Sequence, residues 1–559
     1  MVSICILGVS CTTDHYRHSA DDAAAGLIAE KARLVPNMDP RFTIEQTNSL
    51  ALEGLPVLLE KEEAFGPEAA LEVGGKIISL EKALDIAVEH SRIYQSSKEQ
   101  VYLQALSLSL ARHRFTPMFS GRARGDYQVT TEQAINVVID PITLLPKVQL
   151  SDSLVEQHRV AGGGSAGVNW LLKTGGSLSA AFTTDFLRYL TGDPRTFTSS
   201  QVGAALVQPL WRGAGYKVSI ENLTQSERSL LYALRDFTRF RREFSVQIAT
   251  AYYGVLQNKD AVRNSWQGLK NFQFNVERET ALADQGLKTQ ASLGLLKQSA
   301  LNTETAWINA VRNYRQSLDN FKIQLGLTTD AAVVLDDREL KGLSIIHPEF
   351  SAEDAQSIAL LTRLDLYTVR DQYEDARRKV DLAANGLRAQ VDVVAAASLN
   401  SKQDSSGSFP VPDADRYRWN AGLNFDLPFE RTAERNAYRG ALIAQAQAER
   451  FLQLNEDQIK LQVRNDWRNL DQAKRSFESS QIGVRLSERR VEEQELRAQV
   501  GRGTARDLVD AQIDLISQRN LLTQALIAHT IARLQFWNDM GILYIKDHGQ
   551  WEEMKPKKQ

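Results

Sequence analysis

The chain holds 559 residues, 43% hydrophobic and 24% charged, with 66 basic against 69 acidic side chains and a net charge of −3. That composition supplies a core and argues against disorder of the whole, and its charge balance gives no pull toward nucleic acid, so no nucleic-acid partner is expected. Both cysteines, Cys5 and Cys11, lie in the first eleven residues, which excludes a disulfide framework, and the eight scattered histidines form no metal-binding spacing, so neither metal nor cofactor is expected.

In chain order, Ile4 to Ser10 is a short apolar run ending at Cys11, similar to the tail of a bacterial lipoprotein signal. Gly8 stands where that pattern has an aliphatic residue, and no Lys or Arg precedes it. Cys11 is therefore a lipidation candidate, the alternatives being an ordinary cysteine or a start further upstream. Residues 12–75 contain Pro36, Pro40, Pro56 and Pro67 and read as an extended arm. No stretch approaches 18 consecutive apolar residues, so a membrane could be crossed only as a closed barrel.

From Phe119 the sequence takes a period of two. Phe119, Gly121, Ala123, Gly125, Tyr127 and Val129 alternate with Ser120, Arg122, Arg124, Asp126 and Gln128. Weaker alternation follows over 178–182, 202–206 and 391–399, and a clear one over 419–427. Each is a strand with one apolar and one polar face, about ten residues long as in a membrane barrel. Taken singly, each is better read as a half-buried strand of a soluble sheet; coupled to very long helices, the strands favour the barrel. The segments 130–170 and 400–417 read as loops, rich in Gly and Ser at Gly162-Gly163-Gly164-Ser165 and at Ser405-Ser406-Gly407-Ser408. Gly162 to Gly167 also fits the G-x-G-x-x-G and G-x-S-x-G patterns, but without the strand-to-helix context either needs. No catalytic constellation is present, so no enzyme is expected.

Prolines divide the remainder. None of the 14 falls within 210–347 or within 429–555. A proline costs a helix interior about 3 kcal/mol, so these gaps mark long helices. Each gap is broken once by a glycine-bearing tip, at Asp284–Thr289 and at Val500–Thr504, and so reads as a helical hairpin. The first arms, 217–284 and 433–499, would each run about 100 Å at 1.5 Å per residue, which demands a coiled-coil-like or tubular assembly.

The two halves repeat each other. A shift of 272 carries Ser79, Glu81, Ala83, Ile86 and Ala87 onto Ser351, Glu353, Ala355, Ile358 and Ala359. A shift of 215 carries Gly286, Thr289, Leu293, Phe321 and Gly326 onto Gly501, Thr504, Leu508, Phe536 and Gly541. The expected segments are 1–11, the arm 12–75, a first repeat 76–330, a linker 331–350, a second repeat 351–545 and a tail 546–559.

Three stretches carry a resemblance: Ser79 to Ala87, Gln208 to Gly213 (Gln-Pro-Leu-Trp-Arg-Gly), and Val500 to Gln512 (Val-Gly-Arg-Gly-Thr-Ala-Arg-Asp-Leu-Val-Asp-Ala-Gln). In this order, and with the duplication, they resemble the TolC-like outer membrane efflux protein family over about residues 76–545. The resemblance implies an α+β membrane protein: long α-helical hairpins forming a periplasmic tunnel below a trimeric twelve-stranded β-barrel, four strands per protomer. It implies an outer-membrane location with a long periplasmic extension, lipid-anchored if Cys11 is modified. The expected partners are two further copies of the chain, outer-membrane lipid, a periplasmic adaptor protein and an inner-membrane transporter of the RND or ABC type. The function implied is a passive exit duct of a tripartite efflux or type I secretion system; the alternative is a soluble coiled-coil scaffold.

The same resemblance assigns residues. Asp507 and Asp510 stand where the family places acidic rings at the periplasmic aperture, and their i, i+3 spacing puts both on one helix face. Acids at a helix start also favour the dipole without any gate. The family's locking arginine is Gly503 here, which leaves Arg502 and Arg506 as the candidates for that role, and Ser292 replaces Asp507 in the first repeat. Gln285, Gly286, Leu287, Val500 and Gly501 occupy the tips that dock an adaptor.

Overall fold

The computed structural model describes residues 12–39, 42–45, 52–139, 141–191, 195–348, 351–404, 407–500, 502–546 and 548–553. Cys11 and Gly501, assigned above to lipidation and docking, lie outside them. Helix α1 (Thr13–Ala32) comes first; strand β1 (Lys76–Ile78), α2 (Leu80–His90) and α3 (Arg92–His113) follow. Next come β2 (Met118–Ile139), β3 (Pro146–Leu171), β4 (Ser177–Tyr189), β5 (Thr196–Pro209) and the single turn α4 (Tyr216–Ser219). The first long hairpin is α5 (Glu221–Asp284) with α6 (Gln290–Leu325). Then come β6 (Val333–Leu335), α7 (Arg338–Lys341), α8 (Ala352–Thr362), α9 (Leu364–Gly386), β7 (Gln390–Asn400) and β8 (Tyr417–Asp426). The second hairpin is α10 (Thr432–Gln499) with α11 (Ala505–Asp539), and the short strands β9 (Leu543–Ile545) and β10 (Trp551–Glu553) end the described chain.

The chain divides into two compact units: residues 1–105, 230–372 and 449–559 make one, and residues 106–229 and 373–448 the other. In the first, the sequence repeat is visible atom by atom. Ser79 caps α2 by accepting from the Lys82 N–H, and Ser351 caps α8 by accepting from the Asp354 N–H. Thr289 and Thr504 cap α6 and α11 in the same way. Phe321 and Phe536 are both fully buried. Gly326 and Gly541 both take the left-handed conformation, with φ of 83° and 74°. Each presses on the last residue of the first helix in its own repeat, Gly326 on the His90 carbonyl and Gly541 on that of Thr362. His90 and Thr362 are themselves related by the shift of 272. A side chain at Gly326 would part the helices it joins, and one at Gly541 would crowd Thr362.

Helices α5 and α10 run for 64 and 68 residues, as the proline gaps predict. At 1.5 Å per residue they measure about 96 and about 102 Å. Phe272, Leu296 and Val509 form a buried cluster joining α5, α6 and α11, and the Asn264 amide donates to Asn520 across α5 and α11 at 2.8 Å. Helix α10 buries only Ile459, Val463, Leu470 and Val491, and leaves Ile482, Leu486 and Leu496 exposed. So long a helix with so thin a buried stripe is not covered by its own chain.

Three segment readings need correction. Helix α1 occupies part of the arm read as extended, because the Ala- and Glu-bearing run before Pro36 has no helix breaker apart from Gly26. The linker 331–350 contains β6, which pairs in parallel with β1. The tail is tied back by β10, which pairs antiparallel with β9.

The second unit is built on one antiparallel sheet, in the order β2-β3-β4-β5-β7-β8. It therefore has six strands and not the expected four. Alternation marks β2, β4, β5, β7 and β8; the strand it misses is β3, which with the end of β2 lies in segment 130–170, read as a loop for its glycines. Those glycines sit inside β3, paired with β2 on one side and β4 on the other. A Cβ on Gly163 would lie 2.8 Å from a carboxylate oxygen of Asp185 on β4 and 3.7 Å from Nε of Arg124 on β2. Glycine is there because two charged side chains from the flanking strands meet above it. The loop expected at 400–417 is present, β7 ending at Asn400 and β8 starting at Tyr417. Beside the sheet, buried Asp375 on α9 accepts from Arg228 (2.8 Å), Arg378 (2.7 Å) and Gln225 (3.2 Å), fixing α9 to the start of α5. Among the described residues no helix is long and apolar enough to cross a membrane.

Candidate functional site

The sheet has two chemically distinct faces. Paired residues of an antiparallel sheet share a face, so each face can be read along a row of partners. One row runs Phe119, Val168, Ala180, Ala204, Ala397, Trp419 across all six strands. Phe119 is 84% exposed, Trp419 69% and Phe425, on the same face, 58%. So much exposed aromatic surface needs an apolar cover. The next row, Ser120, Gly167, Ala181, Gly203, Ser398, Arg418, belongs to the opposite face. There Arg122, Arg124, Asp126, Asp185, Asn420 and Asn424 stand in solvent. Arg124 lies 4.0 Å from Asp126 along its own strand and 4.0 Å from Asp185 two strands away. All three are well exposed, so the cluster shapes the field over that face and adds little stability. Arg418 and Asp185 were missed in the sequence. Asp185 lies in β4 just past the weakly alternating 178–182, and Arg418 directly precedes the clear alternation at Trp419.

In the other unit, the tip of the first hairpin closes when the Gly286 N–H donates to Ala283 O and the Leu287 N–H to Leu282 O, each at 2.9 Å. Gln285, Gly286 and Leu287 are exposed, as is Val500 at the second tip. There the N–H groups of Arg502 and Gly503 both donate to Arg497 O, at 2.9 and 3.0 Å. The turn is so tight that a Cβ on Gly503 would lie 2.8 Å from the Ala498 nitrogen. That contact accounts for glycine at the position where the resemblance expects arginine.

The Thr504 hydroxyl accepts from the Asp507 N–H at 3.1 Å and donates to its carboxylate at 2.6 Å. Asp507 thus serves the start of α11. In the first repeat Ser292 meets Thr289 in the same way, its N–H donating to the Thr289 hydroxyl at 3.2 Å. Asp510 lies one turn on from Asp507. Asp507, Asp510, Arg502 and Arg506 are all exposed, and among the described residues no ion pair is formed by Asp510, Arg502 or Arg506. The two arms behind this tip are braced by Arg519–Glu488 at 3.0 Å and by Arg490–Asp514.

Two further titratable groups are enclosed among the same helices. Burial, reinforced by Arg533, His347 and Lys474, holds the His529 imidazole down to about 4, so it is neutral at pH 7. Burial and the neighbouring Asp539 carboxyl push Asp466 up to about 7.

No protein-family profile matches the sequence, and no curated protein matches it. Solved structures do match. The chain aligns with the transmembrane channel protein CusC at a TM-score of 0.60 and 12% identity, over 83% of this chain and 92% of that one. For the CmeC outer membrane channel of Campylobacter jejuni the TM-score is 0.58 at 12% identity, covering 93% and 96%. For the open state of the MtrE outer membrane channel of Neisseria gonorrhoeae it is 0.58 at 12% identity, covering 83% and 88%. The chain has the TolC-like outer-membrane channel fold. At this identity the likeness is one of architecture: a TolC-like chain is α+β, internally duplicated, with long helical hairpins and a sheet. Both repeats and both hairpins described above fit that plan, and the sheet of this chain has six strands.

Proposed function

We propose that the protein is an outer-membrane exit duct: three copies pool their sheets into a barrel and their helical hairpins into a periplasmic tunnel, through which substrates pass without catalysis. The observation that carries this reading is the two-faced sheet. One face carries an exposed apolar band from Phe119 to Trp419, the other is polar and charged, and both edge strands lack partners among the described residues. In lipid, unpaired edges are excluded, so such a sheet must close with copies of itself. The thin buried stripe of α10 supports the same conclusion for the helices. A soluble coiled-coil scaffold would leave the row from Phe119 to Trp419 in water.

The four residues at the second tip form the gate in this reading. Thr289 caps α6 with the uncharged Ser292 as its partner, so the carboxylate of Asp507 is not needed for the helix start. Three copies of Asp507 and Asp510 ring the aperture with carboxylates and favour cations there, while the unpaired Arg502 and Arg506 supply the closing contacts that Gly503 cannot. Gln285, Gly286, Leu287, Val500 and Gly501 dock a periplasmic adaptor, which links the duct to an inner-membrane transporter of RND or ABC type. Cys11 anchors the chain by lipid.

Planar-bilayer recording on the detergent-extracted protein, with its mass from light scattering, tests the duct. Discrete channels from a particle of three chains are expected. A water-soluble protein without conductance would overturn the reading in favour of the scaffold.

A further inference from the structure

The register of the sheet determines how it closes. Five successive antiparallel pairings separate β2 from β8, so the two edge strands run in opposite directions. Edge β8 of one copy can therefore continue into edge β2 of another as a further antiparallel pair. Following partners from Met118, the first residue of β2, leads through Asn169, Ser179, Ala205 and Ala396 to Asn420. Strand β8 continues six residues beyond Asn420, to Asp426. The strand ends are thus staggered by six residues over five steps. With a rise of about 3.3 Å and a spacing of about 4.8 Å, this stagger corresponds to a strand tilt of about 40°, inside the range of membrane barrels.

Strands β2 and β3 belong to this wall. Phe119 and Val168 extend the apolar face of β4 to β8, and Arg122 and Arg124 extend the polar one. The approach of Arg124 to Asp185 over Gly163 further ties β2 to β4.

We propose that β2 of one copy pairs with β8 of the next, so that each copy supplies six strands and three copies close an eighteen-stranded barrel. The proposal rests on the three-copy duct argued above. The arrangement it excludes has β2 and β3 turned out of the wall and β4 meeting β8, which would give twelve strands. At a tilt of about 40°, eighteen strands enclose a backbone-to-backbone bore about 36 Å across and twelve strands one about 24 Å across. The cross-section grows about 2.2-fold. The outer segment of this duct therefore accommodates bulkier cargo than a twelve-stranded barrel, past arginines that only β2 brings.

Cysteine pairs on the polar face test the edge contact in the full chain. Ser120→Cys on β2 is combined in turn with Arg418→Cys, Asn420→Cys, Gly422→Cys and Asn424→Cys on β8; a second series places Ala181→Cys on β4 instead. After oxidation, covalent dimers and trimers are expected at one register of the β2 series and none in the β4 series. Cross-links confined to the β4 series, links only within single chains, or none at any register would overturn the proposal. Native mass and conductance of each variant report separately on the duct: β2–β8 links in a particle that is not a trimer would keep the edge pairing and remove the three-copy reading. As a check that does not depend on cysteine pairing, a spin label at Phe119→Cys should be reached by dissolved oxygen and shielded from a water-soluble nickel chelate. The reverse accessibility would put the β2–β3 hairpin in water and sink the eighteen-stranded wall.

Discussion

Replacing Gly326 by alanine probes the tightest joint of the helical unit. Its left-handed backbone costs a non-glycine residue about 1–2 kcal/mol. The added Cβ would also overlap the His90 carbonyl oxygen, a backbone atom that cannot swing aside. The end of α6 must then shift, at the expense of its closing hydrogen bonds from the Gly326 N–H to Ile323 O (3.0 Å) and the Leu327 N–H to Lys322 O (2.9 Å). Each such bond contributes about 1 kcal/mol, so the total cost is about 3–4 kcal/mol. Gly541→Ala bears the same backbone penalty, but its Cβ would meet Thr362 at 3.1–3.2 Å and needs only a small adjustment. Its cost is about 2 kcal/mol. Gly254 lies mid-way along α5 with open space where a Cβ would go, and alanine there gains about 1 kcal/mol of helix propensity. Thermal unfolding in detergent, followed by circular dichroism, should place Gly254→Ala above the parent, Gly541→Ala below it and Gly326→Ala lowest. If Gly326→Ala melts with the parent or above Gly541→Ala, the paired-joint reasoning is wrong.

At the second tip, Gly503→Arg should lower the melting temperature without lengthening channel closures, its Cβ contact costing about 1–3 kcal/mol; longer closures at unchanged stability would show that the turn accepts the arginine. Asp507→Ser with Asp510→Asn should keep the α11 cap and the melting temperature while weakening cation block of single-channel currents, and unaltered block would remove both residues from the gate. Leu287→Glu and Val500→Glu, at sites 66% and 70% exposed, should reduce cross-linking to an adaptor by tenfold or so (about 1.4 kcal/mol) and leave the trimer intact; full cross-linking would put docking elsewhere. Two buried groups give opposite pH slopes. His529, held down to about 4, contributes stability that is lost as pH falls from about 6.5 through 4. Asp466, pushed up to about 7, contributes stability present below about 3.8 and lost as pH rises through 7. Melting temperatures between pH 4 and 7 should therefore fall with rising pH in His529→Leu and rise in Asp466→Asn, and parallel profiles would refute the assignment.

What could be read in the sequence follows from how local its cause is. The long helices are visible because excluding proline from an interior acts at every residue, and the duplication because caps and helix-end glycines recur at fixed shifts. Strand β3 is hidden for the opposite reason. Along it Val160, Gly162, Gly164, Ala166 and Val168 form the apolar face, with too little side chain to stand out against Ser165 or Gly163. The residues that explain its glycines, Arg124 and Asp185, are on neighbouring strands and distant in sequence. A glycine that makes room for someone else's salt bridge looks like a loop until its neighbours are known.

The tips show the same limit from the other side. Thr289 and Thr504 are readable as helix starts, and both are. Whether the third residue after each is there for the helix or for something else cannot be decided at either tip alone. Comparing the repeats decides part of it, because Ser292 and Asp507 meet their threonines through the same N–H to hydroxyl bond. What differs between the tips is charge, and that difference is unrelated to folding the turn. A duplicated chain that keeps the cap in both halves and the carboxylates in only one has separated the structural requirement from the electrostatic one. That separation is what the proposed gate asks of Asp507 and Asp510: carboxylates free to act on what passes beside the second tip.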